Sequence, residues 1–183
     1  EKPTLVLEID LENTSSREKH FPIEFVYALD LNLAGHSQDE ALAKVAHFSG
    51  TELETVPVGK LKKRPFLAAG SFDWHGLVRK YYALLVKPEL KLINHENEFK
   101  DGRLESRLAL APLSVGPGET KTTRILIYAG PQHYDTLREF GFGFEKIFSQ
   151  GILGVLKSTL LIGLNFFHRL TGNYGAAILL ITL

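Results

Sequence analysis

Residues 4–12, TLVLEIDLE, and residues 21–33, FPIEFVYALDLNL, decide the fold class. In the first stretch Leu5, Leu7, Ile9 and Leu11 alternate with Val6, Glu8, Asp10 and Glu12. In the second, Phe21, Ile23, Phe25, Tyr27, Leu29, Leu31 and Leu33 alternate with a set that includes Pro22, Glu24, Asp30 and Asn32. Successive side chains of a strand point to opposite faces, so a period of two puts each apolar set on one half-buried face. The polar run from Asn13 to Lys19 reads as the turn between them, and the two strands are expected to pair as an antiparallel hairpin. Pro22 lacks an amide hydrogen and fits if its end of the strand lies at an edge.

The same signals continue downstream. Gly35 to Leu61 holds polar turns, a strand around Glu52 to Val58, and a segment from Asp39 to His47 with the look of a short helix. Phe72 to Val86 is rich in aromatic and branched residues and stops at Pro88, which reads as a buried strand or strand pair. Arg103 to Leu110 alternates again after the hairpin dipeptide Asp101-Gly102. Val115-Gly116-Pro117-Gly118-Glu119 is a turn, and Thr122 to Ala129 is a strand closed by Gly130-Pro131. Pro131 is expected to open a short helix through Phe140, with Gly141 as its stop. The reading is a mainly β, antiparallel domain with a terminal helix and a glycine pair, Gly141 and Gly143, before the tail.

That tail has a different solvent. From Gly151 to Leu183 the charged side chains are Lys157 and Arg169 alone. At about 100° per residue, Lys157, Ser158, Asn165, His168 and Arg169 gather in one sector of roughly 120°. Leu156, Leu160, Leu164, Phe166, Phe167 and Leu170 fill the rest, with Leu161 on the polar side. A wide apolar face and a thin cationic strip suit a helix lying among lipid headgroups, and a helix packed on a soluble core is the alternative. Thr171 to Gly175 is a helix stop with an interfacial tyrosine, Tyr174, and Ala176 to Leu183 is apolar except for Thr182. A helical span needs about 20 residues, so the chain is expected to end inside a transmembrane segment.

Composition narrows the function classes. The 183 residues are 44% hydrophobic, enough for one cored domain plus the tail. Lysine and arginine equal aspartate and glutamate at 21 each, which gives no footprint for nucleic acid. There is no cysteine for disulfides or thiolate metal sites, and the lack of methionine fits a piece of a longer protein. Asn13-Thr14-Ser15 spells a glycosylation sequon, a triplet that arises readily by chance. The histidines show no His-Glu-x-x-His spacing, and His95-Glu96 reads as a solvated turn. Gly141-Phe142-Gly143 lacks the third glycine of a dinucleotide loop, and no serine sits in a Gly-x-Ser-x-Gly elbow. No catalytic, cofactor or metal residue is singled out, and the chain is expected not to be an enzyme. Trp74, His75, Tyr81 and Tyr82 are types that stack on sugars, but the plainer reading is a strand core with an exposed edge.

Particular runs carry a resemblance. Ala129-Gly130-Pro131, a helix with Tyr134 and Leu137, Gly141, Glu145-Lys146, Leu164-Asn165-Phe166-Phe167 and Gly172-Asn173-Tyr174-Gly175 follow one another in the order found in the YidC family of bacterial membrane-protein insertases. Phe72-Asp73-Trp74 with Lys80-Tyr81-Tyr82 resembles that family's aromatic strand. The resemblance implies a β-supersandwich similar to galactose mutarotases, of which this chain holds the C-terminal part. It implies a division into 1–140, sandwich and terminal helix; 141–150, linker; 151–171, interfacial helix; and 172–183, the start of a transmembrane helix. It implies an inner-membrane, multi-pass parent with this region periplasmic, acting as insertase and chaperone for nascent membrane proteins, alone or with the Sec translocon. The groove arginine of the family lies beyond Leu183. On this reading Lys157, Leu160, Leu164, Phe166, Phe167, Arg169 and Tyr174 meet the bilayer interface, and Gly141, Gly143, Gly172 and Gly175 act as hinges. Phe72, Trp74, Lys80 and Tyr81 form a cleft or docking surface. The alternative is a membrane-anchored envelope module that docks a protein or binds carbohydrate.

Overall fold

The computed structural model describes residues 3–31, 43–50, 52–148, 163, 164 and 166–182. Its strands are β1 (Thr4–Glu12), β2 (Lys19–Asp30), β3 (Lys44–Ser49), β4 (Glu52–Pro57), β5 (Phe66–Phe72), β6 (Trp74–Val78), β7 (Tyr82–Pro88), β8 (Leu92–Lys100), β9 (Arg103–Val115) and β10 (Thr120–Pro131). They form a six-stranded sheet in the order β1-β10-β7-β6-β3-β4 and a four-stranded sheet in the order β2-β9-β8-β5. Pairing within both sheets is antiparallel, as the alternating patterns require.

The expected β1–β2 hairpin is overturned: β1 pairs with β10 in one sheet and β2 with β9 in the other. The reason lies in Asn13, which is 1% exposed. Its side-chain amide donates to the carbonyls of Arg17 and Val115, each at 2.8 Å. Its backbone nitrogen donates to the Glu119 carbonyl at 3.0 Å, and Gly118 returns a bond to the Asn13 carbonyl at 2.8 Å. The polar run after β1 and the turn between β9 and β10 are therefore two corners tied side by side, each carrying the chain between sheets. Burial of Asn13 also leaves the sequon no accessible amide.

Other expectations fare better. Asp101 and Gly102, with φ of 50° and 79°, turn β8 into β9, the left-handed pair that a tight hairpin needs. Pro22 sits on an edge strand where the register shifts between Phe21 and Ile23. The strand pair inside Phe72 to Val86 is β6 and β7. Part of the helix expected over Asp39 to His47 is instead β3; residues 39–42 lie outside the described set. Val45, Ala46, His47 and Phe48 are all buried, so cover on both faces hides the alternation that marks a strand. The terminal helix is shorter than expected, α2 (Tyr134–Arg138), because Pro131 still pairs with Tyr82 at the end of β10. A four-residue α1 (Val58–Leu61) follows β4.

Two apolar clusters form in the core of the described residues. One gathers Val45, Val58, Leu61, Leu77 and Leu104, the other Phe72, Val86, Leu92, Leu108 and Ile125. Fully burying one such side chain is worth about 1.5–3 kcal/mol before chain entropy is charged against it.

The described residues divide into two compact units, Glu1–Phe144 and Glu145–Leu183. In the second, residues 166–171 are helical and α3 (Tyr174–Thr182) follows. Gly172, at φ 66°, ends the first helix and donates its amide to the His168 carbonyl at 2.7 Å. Asn173 caps the second by accepting from the Gly175 amide at 2.7 Å. A Cβ on Gly163 would stand 2.8 Å from Ile181 Cδ1, so the backbone at 163 passes close to α3. No helix among the described residues is long and apolar enough to cross a membrane.

Candidate functional site

A cleft of about 310 Å³ opens between β3–β4 and β5, lined by His47, Glu52, Glu54 and the stretch from Ala68 to Phe72. His47, 3% exposed, donates from Nε2 to Glu54 Oε2 at 2.9 Å. Behind it the His95 ring centroid lies 4.6 Å away, and His75 lies another 4.6 Å beyond. Both are fully buried. Ser106 Oγ donates to Asn97 Oδ1 at 2.8 Å, which orients the amide so that its nitrogen donates to His95 Nδ1, also at 2.8 Å. The Tyr27 hydroxyl is 2.9 Å from His75 Nδ1. The remaining ring nitrogens, His47 Nδ1, His75 Nε2 and His95 Nε2, are buried without a partner among the described residues. Burial holds all three imidazoles below their ordinary range, His95 to about 3, and at His47 it outweighs the opposing pull of Glu54. Burial likewise pushes the Tyr27 phenol up.

Strand parity puts these groups inside. His47 and His75 stand opposite each other on β3 and β6. On β8 the register shifts between Leu92 and Asn94, so Leu92, His95 and Asn97 all turn inward while Glu96 and Glu98 turn out. The solvated turn expected at His95-Glu96 is therefore wrong. The signal was present in the alternation of His95, Asn97 and Phe99 with Glu96, Glu98 and Lys100, disguised by the polarity of both sets. Among the described residues no group of three or more His, Asp or Glu is disposed to hold a metal ion.

The sequence-derived docking residues separate. Phe72 lines the cleft and meets His47 and His95 edge-on, with ring centroids 4.9 Å from each. Trp74 has no accessible surface. Its indole N–H donates to the Phe142 carbonyl at 3.0 Å and its ring meets Phe144 edge-on at 5.5 Å, so it anchors the segment leaving the sandwich. Lys80 and Tyr81 form the β6–β7 hairpin tip, with the Lys80 ammonium 4.8 Å from the Tyr81 ring centroid. Tyr81 and Tyr82 are about three-fifths exposed, and the Gln132 amide donates to the Tyr81 carbonyl at 2.7 Å.

Gly141 and Gly143 have φ of 70° and 76°, a left-handed backbone that favours glycine, and Gly172 shares it. Gly175 lies in the first turn of α3. In the tail, Phe166, Arg169 and Tyr174 are exposed, Leu164 and Phe167 half-buried, and Tyr174 stacks on His168 at 3.8 Å. Lys157 and Leu160 lie outside the described residues.

A family model described as the YidC periplasmic domain matches residues 8–162. The membrane protein insertase YidC of Geobacter sulfurreducens is 33% identical over 111 residues, 60% of this chain and 21% of that protein. That of Pelobacter propionicus is 30% identical over 138 residues, 74% of this chain and 26% of that protein. The chain thus spans about a quarter of the length of the curated relatives it matches. Among solved structures, a putative aldose 1-epimerase from Escherichia coli K12 superposes with a TM-score of 0.47 at 8% identity, over 69% of this chain and 56% of that one. The alpha-galactosidase from Lactobacillus brevis gives 0.45 at 12% identity, over 77% and 21%.

Proposed function

Because the chain belongs to the YidC family, whose periplasmic domain it matches over residues 8–162, we propose that it is the extracytoplasmic shoulder of an inner-membrane insertase. That match is the observation that carries the reading. Its substrates are nascent membrane proteins, and the polar groove that lowers the cost of passing their charged segments lies in parts of the parent outside this chain. This region contributes shape and attachment rather than bond making: the polar pair at its cleft, His47 and Glu54, is spent on itself.

Attachment is assigned to the tail. Lys157 and Arg169 meet lipid phosphates, Leu160, Leu164, Phe166 and Phe167 enter the acyl boundary, and Tyr174 sits at the headgroup level. Gly141, Gly143, Gly172 and Gly175 supply the bends between sandwich, interfacial helix and membrane span. The Lys80–Tyr81 tip, exposed and next to the exit strand, is the surface assigned to docking, with the Sec translocon as its partner. A carbohydrate site built on Trp74 and His75 finds no support, since neither side chain has accessible surface.

Depleting the protein that carries this chain, then following protease protection of newly made membrane proteins, tests the reading. Accumulation of uninserted precursor is expected; normal insertion overturns it. For the tail, charge reversal of both Lys157 and Arg169 is expected to weaken binding to vesicles rich in anionic phospholipid, and unchanged binding removes the phosphate role.

A further inference from the structure

The insertase reading makes no use of the histidine stack. His47 and His75 come from the six-stranded sheet and His95 from the other, so the stack is a joint between sheets directly behind the cleft. We propose that it is an acid-sensitive latch: neutral, it holds β3 and β4 against β5 and β8, and a second proton releases them.

The geometry carries the idea. Three rings, none more than 3% exposed, touch in series, and each has one ring nitrogen with no partner among the described residues. Glu54 of β4 is the carboxylate bonded to the stack, on His47, and Glu52 lines the same cleft. The other groups facing it are Tyr27 from β2, Asn97 from β8, Ser106 from β9 and the rings of Phe66 and Phe72 from β5. These five side chains are uncharged near neutral pH. One proton is therefore tolerable on His47 beside Glu54. A second must enter His95 or, one ring further on, His75, and a charge on His95 only 4.6 Å from one on His47 is resisted roughly several hundredfold at an effective dielectric near 20.

Opening relieves that resistance. An opened chain binds protons at about pH 6.5, whereas burial keeps the closed rings neutral to lower pH. The open form then holds more protons, so the latch is at full strength above about pH 6.5 and weakens as the pH falls. Asp73, next to the cleft, is depressed chiefly by its hydrogen bond from Lys91, so its contribution is complete above the ordinary aspartate range and is lost progressively as the pH falls through that range, below the window of the histidines. Sensing of external acidity rests on the extracytoplasmic reading; the latch itself does not.

Hydrogen exchange on the full chain in detergent micelles, corrected for intrinsic rates, tests it between pH 7 and 5. With two rings each adding up to tenfold per pH unit, opening of β3, β4 and β5 amides is expected to rise by about ten- to a hundredfold per unit below pH 6, ahead of β9 and β10. His95→Leu should remove up to tenfold of that slope. If the variant does not fold, nitrogen NMR of the native rings at pH 5.5 replaces it, and His75 and His95 are expected to remain neutral. Protection that ignores pH, acceleration equal in every strand, or native rings of His75 and His95 titrating near pH 6.5 would each overturn the latch. No insertion substrate enters the experiment, so its failure is separable from failure of the insertase reading.

Discussion

β1 and β2 are both edge strands with the same alternation, yet only β2 is covered along its length. Ile23, Phe25 and Leu29 of β2 stand in register with Leu110, Leu108 and Leu104 of β9, which are 3%, 0% and 0% exposed. Leu5 and Leu7 of β1 stand in register with Ile127 and Ile125 of β10, and remain 63% and 38% exposed. Ile9, nearer the corner at Asn13, does pack on the second core cluster. Alternation assigns a residue to a face; the reach of the opposite sheet decides whether that face leaves water. Here a six-stranded sheet meets a four-stranded one, and the far end of β1, at Leu5 and Leu7, is left uncovered.

The largest expected effect sits one strand inward from that uncovered end. Ile125 shares its face with Leu7 but is fully buried, so Ile125→Ala should cost about 2–5 kcal/mol in urea unfolding. A loss under about 1 kcal/mol would place the boundary of the core inside β10. Asn13→Ala comes next, at about 2 kcal/mol, because it strips donors from the Val115 and Arg17 carbonyls where the two corners meet. If Asn13→Ala is silent, the corners are held by their backbone bonds alone. Tyr27→Phe probes the covered strand at its one polar inward position. It removes the hydroxyl from His75 Nδ1 and should cost about 1–2 kcal/mol, with less loss in a His75→Phe background if the two act as a pair.

Strand positions were legible because they depend on local alternation; sheet membership was not, because it depends on where a turn points. Nothing in Asn13 to Lys19 distinguishes a hairpin loop from a corner until the Asn13 amide is seen bonded to Val115, 102 residues away in sequence. The hairpin at Asp101-Gly102 was readable for the opposite reason, since its backbone sign is a property of those two residues. The histidine stack was hidden by chemistry rather than by distance. A buried polar residue breaks the equation of apolar with inward, and both His47 on an unalternating strand and His95 past a bulge lose their periodic mark. The aromatic character of Trp74 suggests a docking surface, but its complete burial makes it an anchor for Phe142 instead.

The smallest predicted effect is the one that most sharpens the contrast between the strands. Leu5 is about two-thirds exposed, so Leu5→Lys should change stability by no more than about 0.5 kcal/mol, whereas Leu29→Lys at the matching inward position of β2 would bury a charge beside Leu104. A pair of urea titrations at one pH settles both values. If Leu5→Lys costs more than about 1 kcal/mol, the outer half of β1 is covered in solution, and sheet overlap is not what separates the two edges. If it is silent while Leu29→Lys unfolds the domain, then two strands with the same pattern differ only in what lies across from them.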